Sequence, residues 1–554
     1  MYSRKENVNQ LTALLVKYGI RNAVVCPGSR NAPVTHNLVM HPDITCHSAV
    51  DERSAGFYAL GLCLQTHLPT VVCVTSGTAL LNLSPAVAEA FYLHQPLIVI
   101  SADRPASRID QQEGQTLPQP HALGRFVRKS VTLPEPVNDE QRWYTNRLIN
   151  EALIECTRRN DAPIHINVPI SEPLFDFSAE SLPDERRIRV FDGITDTAAI
   201  EHLCDLTDRS QRPMIVIGQT TDSFEACPKL MDDIAGKAVV VRESLTSLPG
   251  LTHIDEALYM LADDTGYRPD FVVYLGGDLV SKRLRSLLRR SAEAQTWIVN
   301  PRGEVYDTFA NLQGVLTGNP LTFLQALARH SAPFASKPFI DRWTALLQEA
   351  GSMVERHEPD FSQMFAVKAF EERIERMAET PLVHYANSNA IRLANIYSRH
   401  AVHCNRGVNG IDGSLSTAAG ASLATSRRVF CVIGDLSFFY DGNALWNRDL
   451  RGNFRIVLLN NGGGGIFSQL PGLDASPARD AFVAACHHTS AEGLCRTHDI
   501  GYMAARTADE CCRCLDRIFR DESDRPVLLE VFTDAGTDTR AFRQYYHRLD
   551  RYPA

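Results

Sequence analysis

The chain has no stretch of roughly 18 to 20 apolar residues, the length that a membrane-spanning helix requires. Nor is there a surplus of positive charge: 56 Lys and Arg stand against 65 Asp and Glu, a formal net charge of −9. Nucleic-acid affinity rests on a basic footprint, so this balance excludes a general polyanion binder. It leaves room for a small anion held by a few local cations. No G-x-G-x-x-G opens a helix after the first strand and no G-x-x-x-x-G-K-[ST] occurs, which counts against a nucleotide-binding sensor. Short-period repeats and low-complexity tracts are also missing, which rules out a solenoid.

Cysteine is not scarce, at 14 residues, but paired spacing is. The thiols are scattered through apolar stretches such as Val71–Val74 and read as buried, reduced groups. Cys511, Cys512 and Cys514 lie in a helix-like run, Ala508–Arg520, with Cys486, His487, His488, Cys495 and His498 upstream. Structural zinc needs two well-spaced ligand pairs, and these residues lack them, so packed thiols and surface histidines are expected. In Met1–Ile20, Val8, Leu11, Leu14, Leu15 and Tyr18 recur at helical spacing, and Lys17 interrupts the apolar stretch. The expectation is an amphipathic core helix in a cytoplasmic protein, with no leader peptide.

What is present is ordinary globular composition, 44% hydrophobic and 22% charged over 554 residues, enough for several cores. Short apolar runs alternate with helical patterns: Asn22–Cys26, Ile44–Val50, Val71–Thr75 and Leu97–Ser101 in the first third. Pro213–Ile217, Ala238–Arg242, Phe271–Leu275 and Thr296–Val299 follow in the middle, then Arg428–Ile433, Arg455–Leu459 and Val527–Phe532. This alternation predicts α/β architecture: three doubly wound parallel-sheet domains of roughly 180 residues each. Phe175–Arg187 and Ser331–Glu358 are the polar stretches expected to link them. In such sheets ligands bind beyond the carboxyl ends of the strands, so the informative residues should follow strands.

They do. Gly434-Asp435-Leu436-Ser437 follows one strand, and about 25 residues on Asn460-Asn461-Gly462-Gly463-Gly464-Gly465 follows the next. A carboxylate and an amide oxygen at adjacent strand ends can converge on one hard cation such as Mg²⁺. The glycines let backbone approach a diphosphate and offer a carbonyl ligand, and Ser437 can donate to a phosphate oxygen. Asp51-Glu52-Arg53 directly follows a strand in the first third. Alone, Glu52 reads as an acid at a helix N-terminus.

The pair of strand-end motifs resembles the GD…NN signature of the thiamine-diphosphate (ThDP) enzymes, the superfamily of acetolactate synthase and pyruvate decarboxylase. More narrowly, the whole chain resembles the 2-succinyl-5-enolpyruvyl-6-hydroxy-3-cyclohexene-1-carboxylate (SEPHCHC) synthase family of menaquinone biosynthesis. That resemblance is carried by Cys26–Pro33, Asp51–Arg53, Thr75–Ala79, Ala102–Pro105, Ser281–Arg283, Asn405–Gly413 and Ser416–Gly420. It implies a pyrimidine-binding domain at 1–180, a central domain at 190–340 and a diphosphate-binding domain at 355–554. It implies a transferase (carboligase) that decarboxylates 2-oxoglutarate and adds the succinyl unit to isochorismate; a simpler 2-oxo-acid decarboxylase or an acetolactate-type synthase is the alternative.

Residue by residue, the resemblance implies that Asp435, Asn461 and the Gly463 carbonyl hold Mg²⁺ or Mn²⁺, with Gly434, Leu436 and Ser437 beside the diphosphate. Glu52 should meet N1′ of the aminopyrimidine, and Ile411 should be the wedge between the cofactor's two rings. Ser29, Arg30, Arg104, Gln115, Lys282 and Arg283 should meet isochorismate. Ser388, Arg392 and Arg406 should meet the carboxylate derived from 2-oxoglutarate. Read on their own, Ser29 could be a turn residue, Ser388 a helix cap and Ile411 core. Gly114 stands where relatives often have Asn, and Gly462–Gly465 stands where some relatives have Asn-Gly-Gly-Gln. Glu52 and Asp435 are expected to meet across a subunit interface, in a homodimer or a dimer of dimers.

Overall fold

The computed structural model describes residues 1–554 apart from 159–160, 189–196, 221–227, 248–251, 262–263, 331–335, 470–471 and 550–554. Its apolar runs form three sheets. The first contains β1 (Asn22–Val25), β2 (Thr45–Ser48), β3 (Thr70–Val74), β4 (Leu97–Asp103), β5 (Lys129–Thr132) and β6 (Ile164–Pro169), in the order β2-β1-β3-β4-β6-β5. The second contains β7 (Pro213–Ile217), β8 (Val239–Arg242), β9 (Phe271–Leu275), β10 (Gln295–Asn300) and β11 (Leu312–Thr317), in the order β11-β10-β9-β7-β8. The third contains β12 (Leu382–Tyr385), β13 (Val429–Gly434), β14 (Phe454–Asn460), β15 (Gly501–Ala505) and β16 (Val527–Phe532), in the order β12-β13-β14-β16-β15. Every strand pairing within the three sheets is parallel. The doubly wound α/β expectation therefore holds.

Central strands such as β3, β7 and β9 are buried along their whole length, as parallel strands covered on both faces must be. Register then sets where the polar loops emerge. Val25 pairs with both Ser48 and Cys73, so the loops carrying Ser29, Glu52 and Gly77 leave one edge of the first sheet together. Gly434 pairs with Leu459, which sets Asp435 beside Asn460 and Asn461.

The first and third sheets share one core, including Phe57, Val72, Leu415 and Val432. At its centre the helix Glu52–Thr66 crosses the small-residue helix Ser414–Leu423. A Cβ on Gly61 would stand 2.1 Å from the Thr417 carbonyl oxygen, and one on Gly420 would stand 2.3 Å from that of Tyr58. Only hydrogen fits at either place. The crossing packs the first sheet's unit closely against the third's within one chain.

One linker expectation is corrected. Within Ser331–Glu358, residues 337–356 form a helix, Lys337–Arg356, whose apolar side packs on the second sheet's core. Trp343 is fully buried there and its indole N–H donates to the Tyr267 carbonyl (3.2 Å). The polar residues that suggested a linker are the solvated face of an amphipathic helix. Phe175–Arg187 has no helix and runs back along the first unit, with Glu185 accepting from Gln10 (3.0 Å) and Asn146 (2.6 Å).

Candidate active site

Asp435 opens the short helix Asp435–Tyr440 and is 3% exposed. Its Oδ2 accepts the backbone N–H groups of Asn461 (3.1 Å), Gly462 (2.9 Å) and Gly463 (3.0 Å), and Oδ1 accepts that of Leu436 (2.7 Å). Burial raises the Asp435 pKa, opposed by the N–H groups of Leu436, Gly463 and Gly462 and by His487. Asn461 donates its side-chain nitrogen to Asp538 Oδ2 (2.8 Å), and among the described residues nothing donates to its Oδ1. The Gly463 carbonyl accepts from Gly465 N–H (2.9 Å) and the Gly462 carbonyl from His487 N–H (2.8 Å), each keeping a second lone pair. At Gly434 a Cβ would meet nothing within 4 Å, so the backbone there faces open space.

This donor set fits a hard divalent cation and a diphosphate: a buried carboxylate, an outward amide oxygen fixed by its own N–H₂, and carbonyls on a glycine loop. Gly463 has φ 156 and Gly462 φ 80, and the loop is pinned by Gly464 N–H on the Ala484 carbonyl (2.7 Å). Ser437 is turned elsewhere: its hydroxyl donates to the Ile411 carbonyl.

Ile411 is 44% exposed, which removes the core reading of that residue. Its loop is fixed by Asn387, which donates to the carbonyls of Asn405 (2.6 Å) and Gly410 (2.7 Å). The turn that follows needs glycine, because Gly413 has φ 77 and a Cβ would press 2.4 Å from the Phe57 ring. Ser388 stands at the N-terminus of the helix Asn389–Tyr397 with φ 71, and its side chain makes no capping bond. A non-glycine residue held at that dihedral costs roughly 1–3 kcal/mol and marks a constrained site, which removes the capping explanation.

Glu52 begins the helix Glu52–Thr66, and Asn82 donates to its Oε2 (3.4 Å). Its neighbours reach the third sheet's loops: Asn443 donates to Asp51 (2.7 Å) and Arg53 donates to the Tyr440 carbonyl (2.8 Å). Glu52 thus stands by the far end of the helix that Asp435 opens. Among the described residues no hydrogen bond or ion pair joins Glu52 to Asp435, Asn461 or Gly463.

The cationic residues fall into two groups. At the first sheet's edge, Arg30 donates to the Ile170 carbonyl (2.9 Å) and pairs with Glu172 (3.0 Å), while Ser29 is exposed. Arg104 donates to the Gly114 carbonyl (3.1 Å) and to Glu113 (3.2 Å), next to exposed Gln115 at φ 57. At the boundary of the second and third sheets, Arg406 pairs with Asp278 (2.6 Å) and donates to Asn387 (3.2 Å). Arg283 stacks over Tyr259 and Tyr546, next to exposed Lys282. Burial above all lowers the Arg392 pKa; Asp255 and Tyr546 oppose this, and Arg406 and Arg283 add to it. Among the described residues no hydrogen bond or ion pair connects Lys282 or Arg283 with Ser29, Arg30, Arg104 or Gln115.

Sequence reasoning missed several partners. His487, expected at the surface, has a side chain only 17% exposed and sits 3.5 Å from Asp435. The segment Ala484–His487 lies on the glycine loop, which buries it. Asp538, Asn387 and Asp278 had no local signal, because each meets its partner only through the fold. Cys511 and Cys495 are fully buried, in keeping with packed thiols, and Cys486 is exposed.

Residues 6–122 match the family model of the thiamine pyrophosphate enzyme N-terminal TPP binding domain, and residues 386–531 match that of the C-terminal TPP binding domain. Over 564 residues the chain is 43% identical to a SEPHCHC synthase of Bacteroides fragilis, covering 99% of this chain and all of the relative. It is 42% identical to the enzyme of that name from Bacteroides thetaiotaomicron, with the same coverage. It is 34% identical to that from Flavobacterium johnsoniae, over 96% of each.

Proposed function

Because the chain belongs to the SEPHCHC synthase family of ThDP enzymes, we propose that it decarboxylates 2-oxoglutarate and adds the succinyl unit to isochorismate in menaquinone biosynthesis. The observation that carries the substrate class is the gathering of Arg283, Arg392 and Arg406 at one boundary, a site suited to carboxylates. ThDP, when bound, would supply a nucleophilic carbon and an electron sink for decarboxylation of a 2-oxo acid.

The chain's own residues bind and orient. Asp435, Asn461 Oδ1 and the Gly463 carbonyl would hold Mg²⁺ (or Mn²⁺), and Gly434, Leu436 and the backbone of Ser437, whose hydroxyl is engaged by the Ile411 carbonyl, would border the diphosphate. Glu52 would hold a proton at N1′ of the aminopyrimidine, the role of a positioned general acid–base. Ile411, exposed on its loop, would pack against the cofactor's two rings. Ser388, Arg392 and Arg406 bind the 2-oxoglutarate carboxylates; Ser29, Arg30, Arg104, Gln115, Lys282 and Arg283 bind isochorismate. Residues 1–180, 190–340 and 355–554 serve as pyrimidine-binding, central and diphosphate-binding units. The lack of any hydrogen bond or ion pair between Glu52 and the proposed metal ligands, or between the two cationic groups, among the described residues is compatible with a homodimer or dimer of dimers in which a second copy completes each site; the location proposed is cytoplasmic.

The test is incubation with Mg²⁺, ThDP and 2-oxoglutarate, with and without isochorismate, read by mass spectrometry. The expected product is SEPHCHC with release of CO₂. Formation of succinic semialdehyde alone in the presence of isochorismate would overturn the reading.

A further inference from the structure

Glu89 lies in the helix Ser84–Tyr92 of the first unit and is 3% exposed. Its two oxygens accept two successive backbone N–H groups 318 and 319 residues away: Gly407 to Oε1 (2.9 Å) and Val408 to Oε2 (2.7 Å). Contact is close enough that a Cβ on Gly407 would stand 2.9 Å from the Glu89 carbonyl oxygen and 3.0 Å from Tyr92 Cβ. The clamped backbone immediately follows Arg406 and leads to Ile411. On its other side Arg406 is held by Asp278 from the second sheet and by Asn387 from the third.

We propose that Glu89 is a positioning residue for the reaction: its carboxylate sets the loop that presents Arg406 to 2-oxoglutarate and Ile411 to the cofactor. This rests on the function proposed above and deepens it. The chemistry demands a carboxylate at this spot. Two adjacent donors converge on it, and a carboxylate offers one acceptor oxygen to each. Glutamine offers one acceptor and turns its N–H₂ towards the second N–H, while aspartate keeps both oxygens but is one methylene short. Losing one such bond and misplacing the loop should be felt as a change of about tenfold or more.

The experiment is steady-state kinetics of the holoenzyme for wild type, Glu89→Gln and Glu89→Asp with both substrates varied. The expected result for Glu89→Gln is a rise of about tenfold in KM for 2-oxoglutarate and a change of less than about twofold in KM for isochorismate, with partial recovery in Glu89→Asp. A merely structural role lowers the active fraction, and therefore kcat, without separating the two KM values. Unchanged KM for 2-oxoglutarate, or equal rises for both substrates, overturns the proposal. Should Glu89→Gln not fold, Gly407→Ala pushes the same loop from the other side of the contact and must show the same selective rise. A wild-type enzyme without 2-oxoglutarate turnover sinks the proposed function and this inference with it; an active wild type with an indifferent Glu89→Gln sinks this inference alone.

Discussion

Asp538 Oδ2 accepts the Asn461 side-chain N–H₂ at 2.8 Å, and this bond decides which end of the amide faces the proposed cation. Asp538 is itself fixed by Gln363 N–H (2.8 Å) and the Thr533 hydroxyl (2.9 Å). Groups that orient metal ligands typically contribute 10–100-fold to affinity. Asp538→Ala should therefore weaken Mg²⁺ activation by about tenfold or more. Mg²⁺ titration of activity at saturating ThDP checks this, and an unchanged midpoint removes Asp538 from the account.

Glu52→Gln keeps the size of the side chain and should leave Mg²⁺ binding intact, because Glu52 makes no hydrogen bond or ion pair with the proposed metal ligands among the described residues, and ThDP should still be anchored through its diphosphate. It should slow exchange of the cofactor's C2 proton by about 10²–10⁴-fold, the range of a lost general acid–base group. Hydrogen–deuterium exchange followed by NMR of acid-quenched cofactor checks it; wild-type exchange would falsify the role.

Arg392 and Arg406 should part company in stability. Among the described residues no hydrogen bond is made by Arg392, so Arg392→Ala should unfold near the wild-type temperature while raising KM for 2-oxoglutarate about tenfold or more. Arg406→Ala removes one of the two arginines paired with Asp278, Arg285 being the other, and one donor to Asn387, and should lose roughly 1–3 kcal/mol of stability as well as activity. Denaturant unfolding beside steady-state kinetics separates the two, and equal stabilities would contradict the pairing.

Glu256 gives a pH-dependent outcome away from the chemistry. It is 1% exposed, Tyr545 donates to its Oε1 (2.8 Å), and its Oε2 has no partner among the described residues. Burial, with Asp255 adding, raises its pKa from 4.5 to about 7. Between those values the folded protein binds the extra proton, so this group's contribution is present at low pH and is lost as pH rises through about 7. Neutral Glu256→Gln should then gain stability over wild type at pH 8, on the order of 3 kcal/mol, and lose that advantage near pH 5. Thermal unfolding at the two pH values checks it; the opposite order refutes the sign.

Much of the fold could be read in advance because parallel strands buried on both faces must be apolar throughout. Pro213–Ile217, Phe271–Leu275 and Val527–Phe532 coincide with observed strands residue for residue. Strands such as Lys129–Thr132 and Gly501–Ala505 were missed: each is an edge strand, partly exposed, with a mixed pattern. The helix Lys337–Arg356 was missed because its solvated face outweighs its apolar stripe in composition.

What the sequence alone determined is the chemistry at strand ends: Gly434–Ser437, Asn460–Gly465 and Asp51–Arg53 are local motifs whose spacing follows from strand and turn length. Tertiary structure alone decided which groups hold those motifs, and the loop from Arg406 to Ile411, in place. Asp538 under Asn461, Glu89 under Gly407, Asp278 against Arg406 and His487 beside Asp435 are contacts between distant segments. A carboxylate carries no local mark of the N–H or guanidinium it will meet. That pairing is selected only when burial removes water as the alternative partner.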